Sequence, residues 1–205
     1  MKTMLIRISL FSLLFALISA NSVNIGDNAA ATTEVVPEGR DFASQVLRDP
    51  WDMSEYSDVS AFINGDGEVI NLNNITTNDG LFSAHSLVAD NWFYVLFAGY
   101  QTALMTGKIG HNYPIQSATF HCFSMAMTAN QAGTRKMSVW WSDDDILGSG
   151  QWGVSAWYDV ANHWKLYQID LANSYAGNPA DPNSTPWNNR STWQNLYIRP
   201  FLEAD

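Results

Sequence analysis

Lys136-Met137-Ser138-Val139-Trp140-Trp141-Ser142 is the stretch that decides the fold class. An extended chain sends successive side chains to opposite faces, so a half-buried strand alternates with period two. Here Met137, Val139 and Trp141 fall on one face, and Lys136, Ser138, Trp140 and Ser142 on the other. The same period recurs twice downstream. In Lys165–Leu171, Tyr167, Ile169 and Leu171 point inward, and Gln168 and Asp170 point away. In Asn195–Pro200, Leu196 and Ile198 point inward, and Tyr197 and Arg199 outward. Phe120–Met127 is apolar on both faces, which suits a central strand covered on both sides or one with a bulge.

Similar short stretches fill the rest of the chain, and turn chemistry separates them. Gly65-Asp66-Gly67 divides Val59–Asn64 from Glu68–Leu72, and Asn78-Asp79-Gly80 precedes Leu81–Leu87. Ala89-Asp90-Asn91 precedes Trp92–Phe97, and Gly110–Pro114 precedes Ile115–Thr128. Val154–Tyr158 and Trp193–Pro200 complete the series. No long amphipathic helix interrupts it; Phe42–Leu47 is brief and stops at Asp49-Pro50. Many short strands with closely spaced turns predict an all-β antiparallel fold, a sandwich or a barrel. The domain runs over residues 41–205. Residues 22–40, with Ala29-Ala30-Ala31 and Pro37-Glu38-Gly39, lack any amphipathic period and predict a disordered linker.

The N-terminus has a different character. Lys2 and Arg7 precede an apolar run, Ile8–Ile18, and then small residues at Ser19-Ala20-Asn21-Ser22. Charged, apolar and small in that order is a secretory signal, residues 1–21, with cleavage after Ala20 or Ser22. The run is too short for a bilayer core, which takes about 20 apolar residues. The expected location is therefore outside the cytoplasm: extracellular, periplasmic or on the cell surface, with no membrane span in the mature form. Without Lys2 and Arg7 the 10 basic residues fall to 8 against 20 acidic ones, a formal charge of −12. Such a field repels phosphate backbones and excludes nucleic acid as a partner, but leaves a neutral ligand such as sugar unpenalised.

The residues that could carry chemistry are sparse. Cys122 is the single cysteine, so an intrachain disulfide and a multi-thiolate zinc site are ruled out, and a small buried apolar role is expected for it. His85, His111, His121 and His163 show no metal-ligand spacing. No nucleophile elbow or phosphate loop occurs, and most carboxylates sit in turns beside Asn, Gly or Pro. Asp143-Asp144-Asp145 packs three carboxylates at a strand end, a donor set suited to a structural Ca²⁺. The nine Trp, eight Tyr and ten Phe are more informative. Ligand sites combine aromatic walls with a few placed polar groups, and flat rings stack on the C–H faces of sugars. Trp140, set away from the core beside Ser138 and Ser142, is the leading candidate for carbohydrate binding. Tyr197 with Arg199 forms a second outward pair, and Trp152, Trp157, Tyr158 and Trp187 lie in loop-like stretches.

The order of several motifs resembles the β-jelly-roll carbohydrate-binding modules, the galactose-binding-like sandwiches of secreted bacterial proteins. Asp49-Pro50-Trp51-Asp52-Met53 stands near the domain start, Asp79-Gly80-Leu81-Phe82 leads a strand, and Gly107-Lys108-Ile109-Gly110 leads to Tyr113-Pro114-Ile115. Val139-Trp140-Trp141 falls where an aromatic strand is usual. Trp164–Leu171 is similar to the family's "IDL" strand and Trp193–Pro200 to its "LRIDP" strand. The resemblance implies an antiparallel two-sheet jelly roll that is non-catalytic and binds poly- or oligosaccharide. Family members add one more strand after the last of these segments, whereas this sequence ends at Leu202-Glu203-Ala204-Asp205. That departure implies either an open sheet edge or, preferably, a longer parent protein with further domains. Two other readings stay open at this point: a structural or adhesion sandwich with no sugar ligand, and a glycoside hydrolase or polysaccharide lyase.

Overall fold

The computed structural model describes residues 3–7, 41–48, 51–53, 58, 72–78, 80–86, 92–96, 110, 112–130, 135–143 and 150–202. In chain order the strands are β1 (Thr3–Arg7), β2 (Leu72–Asn78), β3 (Leu81–Ser86), β4 (Phe93–Leu96), β5 (Ile115–Gln116) and β6 (Cys122–Ala129). They continue with β7 (Arg135–Ser142), β8 (Trp152–Val154), β9 (Tyr158–Asp159), β10 (Lys165–Asp170), β11 (Thr192–Trp193) and β12 (Asn195–Leu202). Helix among the described residues is confined to short turns, among them a π-helical turn at Ala43–Leu47 and a 3₁₀ turn at Trp187–Asn189. No helix among them is long and apolar enough to cross a membrane. The chain is all-β.

Two larger sheets carry the strands. One has the order β10-β6-β1-β3-β2; the other has the order β4-β12-β7-β8, with β9 also paired to β7. Every named strand pair is antiparallel. The sheets share one apolar cluster. Phe82, Met125, Met127, Tyr167 and Ile169 enter it from the first sheet, and Phe93, Met137, Val139, Trp141, Leu196 and Ile198 from the second. Phe82 and Phe93 meet across the gap with ring centroids 4.8 Å apart. The alternation read in β7, β10 and β12 holds: Trp141, Val139 and Ile198 are fully buried, and Tyr167, Ile169, Leu171 and Leu196 nearly so.

Three tryptophans fasten the segment before β12 to this core. Trp141, Trp187 and Trp193 have no solvent exposure and pack edge-on or tilted against one another. A buried indole N–H needs a partner, and each finds a backbone carbonyl. Trp141 donates to Thr185 O (3.2 Å), Trp187 to Ser117 O (3.0 Å) and Trp193 to Trp187 O (2.9 Å). Trp187, which the sequence places in a loop-like stretch, is therefore a core residue.

Local reasons for the strands are visible in the turns. Asn78 pairs with Leu81 across a two-residue loop, and Gly80 adopts φ +74°. A tight hairpin turn with φ above zero favours glycine at that position, as found here. β2 itself is polar, Leu-Asn-Asn-Ile-Thr-Thr-Asn, and starts at Leu72, where the expected strand Glu68–Leu72 ends; the rest of that expected strand lies outside the described residues. Its register shifts between Asn73 and Thr76, and Asn74 sits at φ 50°, a left-handed value that asparagine tolerates at a bulge. The long run Ile115–Thr128 divides: Ile115–Gln116 pairs with β11, a turn follows, and β6 starts at Cys122.

Some expectations fall elsewhere. Val59–Asn64 and the linker 22–40 lie outside the described residues, as does most of the expected export signal. The described part of that signal, Thr3–Arg7, pairs with β3 on one side and β6 on the other. Cys122 is half-buried on the face of β6 turned away from the core, rather than buried as a small apolar side chain, because Phe123, Met125 and Met127 take the inward positions.

Candidate functional site

The second sheet has two aromatic faces. One belongs to the shared core. On the other, Tyr94, Tyr197, Trp140 and Trp152 form a row across β4, β12, β7 and β8. The strand register builds it: Tyr197 lies opposite Tyr94 on one side and opposite Trp140 on the other, and Ser142 lies opposite Trp152. Ring centroids are 4.9 Å apart for Tyr94–Tyr197, 5.8 Å for Tyr197–Trp140 and 5.4 Å for Trp140–Trp152. The last two pairs are stacked, with interplanar angles of 29° and 16°.

Polar groups lie among and beneath the rings. Trp140 donates its indole N–H to Ser138 Oγ (2.8 Å), and the Arg199 guanidinium stands 4.9 Å from the Trp140 ring centre. Asn195 donates from Nδ2 to Ser142 Oγ (2.7 Å). Ser138, Ser142 and Asn195 are buried although they face away from the core, so this face carries its own packed layer.

That layer changes the picture of two expected residues. Tyr197 is not open to solvent; it is 3% exposed, pressed between Tyr94 and Trp140. Trp140 does point away from the core, as its alternation predicts, but it is half-buried and has a ring neighbour on either side. Trp152 is the last ring of the row, on a strand at the end of the sheet path, and it is half-buried. Its backbone N–H donates to Asn183 O (2.9 Å), and its carbonyl accepts from the Thr185 N–H (2.7 Å). Trp157 lies between β8 and β9 and is 43% exposed. Arg199 is half-buried over the row.

The acidic turn after β7 is engaged internally. Asp143 accepts the Gln151 N–H at Oδ1 (2.7 Å) and pairs with Arg190 at Oδ2 (2.7 Å). Arg190 in turn lies 5.9 Å from the centre of the Trp193 ring. Asp144 and Asp145 lie outside the described residues.

Burial leaves an electrostatic mark on the row. It pushes the Tyr197 phenol well above its ordinary pKa of 10.0; the neighbouring Tyr94 adds to the rise and Arg199 partly opposes it. Tyr167 is also raised by burial, against the hydrogen bond it accepts from the Ala161 N–H. A group raised in the folded state gives stability that is whole below its unfolded pKa, here about 10, and is lost as pH climbs towards the folded value. We expect the melting temperature to fall above pH 10, and Tyr197→Phe to make the fall shallower. One withheld tyrosine proton contributes up to about 1.4 kcal/mol per pH unit. Melts of both proteins between about pH 8 and 11 test this; parallel curves would show that Tyr197 ionises freely in the fold.

Tyr94 is the member of the row that sequence reasoning missed. All four residues of β4 are buried, and the pairing with β12 shifts register between Leu196 and Tyr197. Its sequence, Phe93-Tyr94-Val95-Leu96, therefore offers no polar positions that would tell one face from the other.

No family model, curated protein or solved structure matches the chain.

Proposed function

We propose that this chain is an exported, non-catalytic jelly-roll β-sandwich that binds neutral carbohydrate on the outer face of its second sheet. The observation that carries the reading is the row Tyr94–Tyr197–Trp140–Trp152, set away from the core and flanked by Ser138 and Arg199. The Trp152 ring at the end of the row, with the Arg199 guanidinium and the Gln151 and Asn183 side-chain amides near it, offers what a sugar needs, apolar stacking with hydrogen bonds at the rim. The acidic mature chain suits an uncharged ligand better than a polyanion.

Within the row, Trp152 and not Trp140 is the ring we assign to ligand contact. Trp140 has its neighbours on both sides, whereas Trp152 ends the row, with Gln151 and Asn183 amides close to its strand. Trp157 is a second, separate contact, argued from its exposure. Calcium at Asp143–Asp145 would have to displace Arg190 from the Asp143 carboxylate, so any stabilisation by the ion should grow when Arg190 is replaced.

The test is retention on a panel of insoluble neutral polysaccharides, followed by calorimetry with oligosaccharides from whichever is bound. Trp152→Ala should lower affinity at least about tenfold, which is 1.4 kcal/mol. Absence of retention on every neutral glycan would reject the reading. It would favour an adhesion domain, for which the exposed Trp164 and Leu166 on and beside β10 are the specific observation.

A further inference from the structure

The first sheet places three metal-ligand side chains together at one end of the β6–β10 pair. Cys122 opens β6 and Asp170 closes β10, and the two stand directly opposite one another. Opposite residues share a face, with Cβ atoms about 5 Å apart. His121 precedes the strand, where strict alternation no longer applies, and its ring turns onto the same side. His121 Nδ1 lies 3.6 Å from Cys122 Sγ and 3.3 Å from Asp170 Oδ1. All three ligand atoms lie within 4.8 Å of one another.

These separations have a simple chemical meaning. Zinc binds sulfur at about 2.3 Å and imidazole nitrogen or carboxylate oxygen at about 2.0–2.1 Å, in a tetrahedron. Tetrahedral angles then put ligand atoms about 3.6 Å apart for S···N and about 3.3–3.4 Å apart for N···O. The observed values are 3.6 and 3.3 Å. A nucleophilic Cys–His–Asp triad is arranged differently. There the two ring nitrogens divide the work, one facing the nucleophile and the other the acid. Here one nitrogen, His121 Nδ1, is the near atom to both partners, and the three ligand atoms lie within 4.8 Å of one another, a cluster and not a relay.

The surroundings suit an ion. The Leu171 N–H donates to His121 O (2.7 Å), which ties the two strand ends together. The Asp170 carboxylate is aimed by the Ala172 N–H (3.0 Å) and by Asn173 Nδ2 (2.7 Å), an outer layer of the kind that orients metal ligands. Thiolate and carboxylate together would balance a divalent charge. The His121 and Asp170 side chains are 38% and 23% exposed, so an ion has a path in and a fourth position for water.

We propose that His121, Cys122 and Asp170 form a three-ligand site for a zinc-type divalent transition-metal ion. Thiolate and imidazole select such ions over calcium or magnesium, which take oxygen ligands. The site lies on the first sheet and is independent of the carbohydrate reading, which concerns the second.

Cobalt(II) titration of the purified chain, free of any histidine tag, tests it. The expected result is one Co²⁺ per chain, with a near-ultraviolet thiolate-to-cobalt band and intense tetrahedral visible bands, both abolished by Zn²⁺. Cys122→Ser should remove the thiolate band. His121→Gln should weaken zinc binding at least about tenfold, a loss that even outer-layer changes cause. Both variants should keep the metal-free melting temperature within a few degrees, which separates loss of a ligand from loss of the fold. Absence of the thiolate band in the wild type overturns the proposal. So does zinc affinity that His121→Gln and Asp170→Asn leave unchanged, since the thiol would then be acting alone.

Discussion

Trp141→Ala should cost about 3–5 kcal/mol of stability, the range for deleting a fully buried tryptophan. The ring has no exposed surface, meets Trp187 and Trp193 edge-on, and donates its N–H to Thr185 O. Removing it leaves a cavity where two other large rings meet, and an acceptor without its donor. The backbone is also fitted to this ring: Trp141 pairs with Gly153, and a Cβ there would overlap the indole and the Thr185 carbonyl. The neighbouring chain is thus shaped around tryptophan and has little to fill the gap with. A domain's whole net stability is about 5–15 kcal/mol, so this variant should unfold at a much lower denaturant concentration. Trp164→Ala provides the control. That ring is 42% exposed, and its loss should change stability by less than about 1 kcal/mol. Equal unfolding midpoints for wild type and Trp141→Ala would mean that the tryptophan cluster does not hold the sheets together.

The strands that sequence reading located best are those whose sequence alternates between an apolar face and a mixed one. β7, β10 and β12 show clean alternation, and their inward residues all lie in the shared cluster. β2 was harder to see because five of its seven residues are Asn or Thr, which also signal turns. The division of Ile115–Thr128 was hidden for the opposite reason. Its residues contain no Gly, Pro, Asn or Asp to mark a break, and only the turn after Gln116 shows that two strands share the run. Thr3–Arg7 presents a conflict that physics can sharpen. As strand β1 it sits between β3 and β6. Cleavage after Ala20 or Ser22 would remove it and leave those two strands two spacings apart, roughly 9–10 Å.

The aromatic row was legible only in part. Alternation turned Trp140 and Tyr197 away from the core, and the strand register then placed them side by side. What alternation cannot say is whether an outward face is wet. Here the rings bury one another, so an outward residue such as Tyr197 is as dry as a core one. The His121–Cys122–Asp170 cluster was invisible for a related reason. Its members lie 48 residues apart along the chain (Cys122 to Asp170) and meet only through the β6–β10 pairing.

Trp140→Ala separates the two roles that an outward ring can play. A ring that only serves a ligand has at least one open flat face, and its removal leaves stability almost unchanged. Trp140 instead lies between Trp152 and Tyr197, with Arg199 over it and its N–H bound to Ser138. Stacked aromatic pairs contribute about 0.5–1.5 kcal/mol each beyond burial. An exposed or half-buried cation–π contact contributes about 0.5–1 kcal/mol. Two pairs and one such contact predict a loss of roughly 1.5–4 kcal/mol. The effect should reach its neighbours. Without Trp140, Tyr197 is uncovered on one side, its phenol returns towards ordinary acidity, and the alkaline fall in stability begins to resemble that of Tyr197→Phe. Equilibrium unfolding of Trp140→Ala at neutral and alkaline pH measures both consequences. If instead stability is unchanged and only glycan retention is lost, Trp140 is the ligand platform itself, and the row is open where its ring spacings say it is closed.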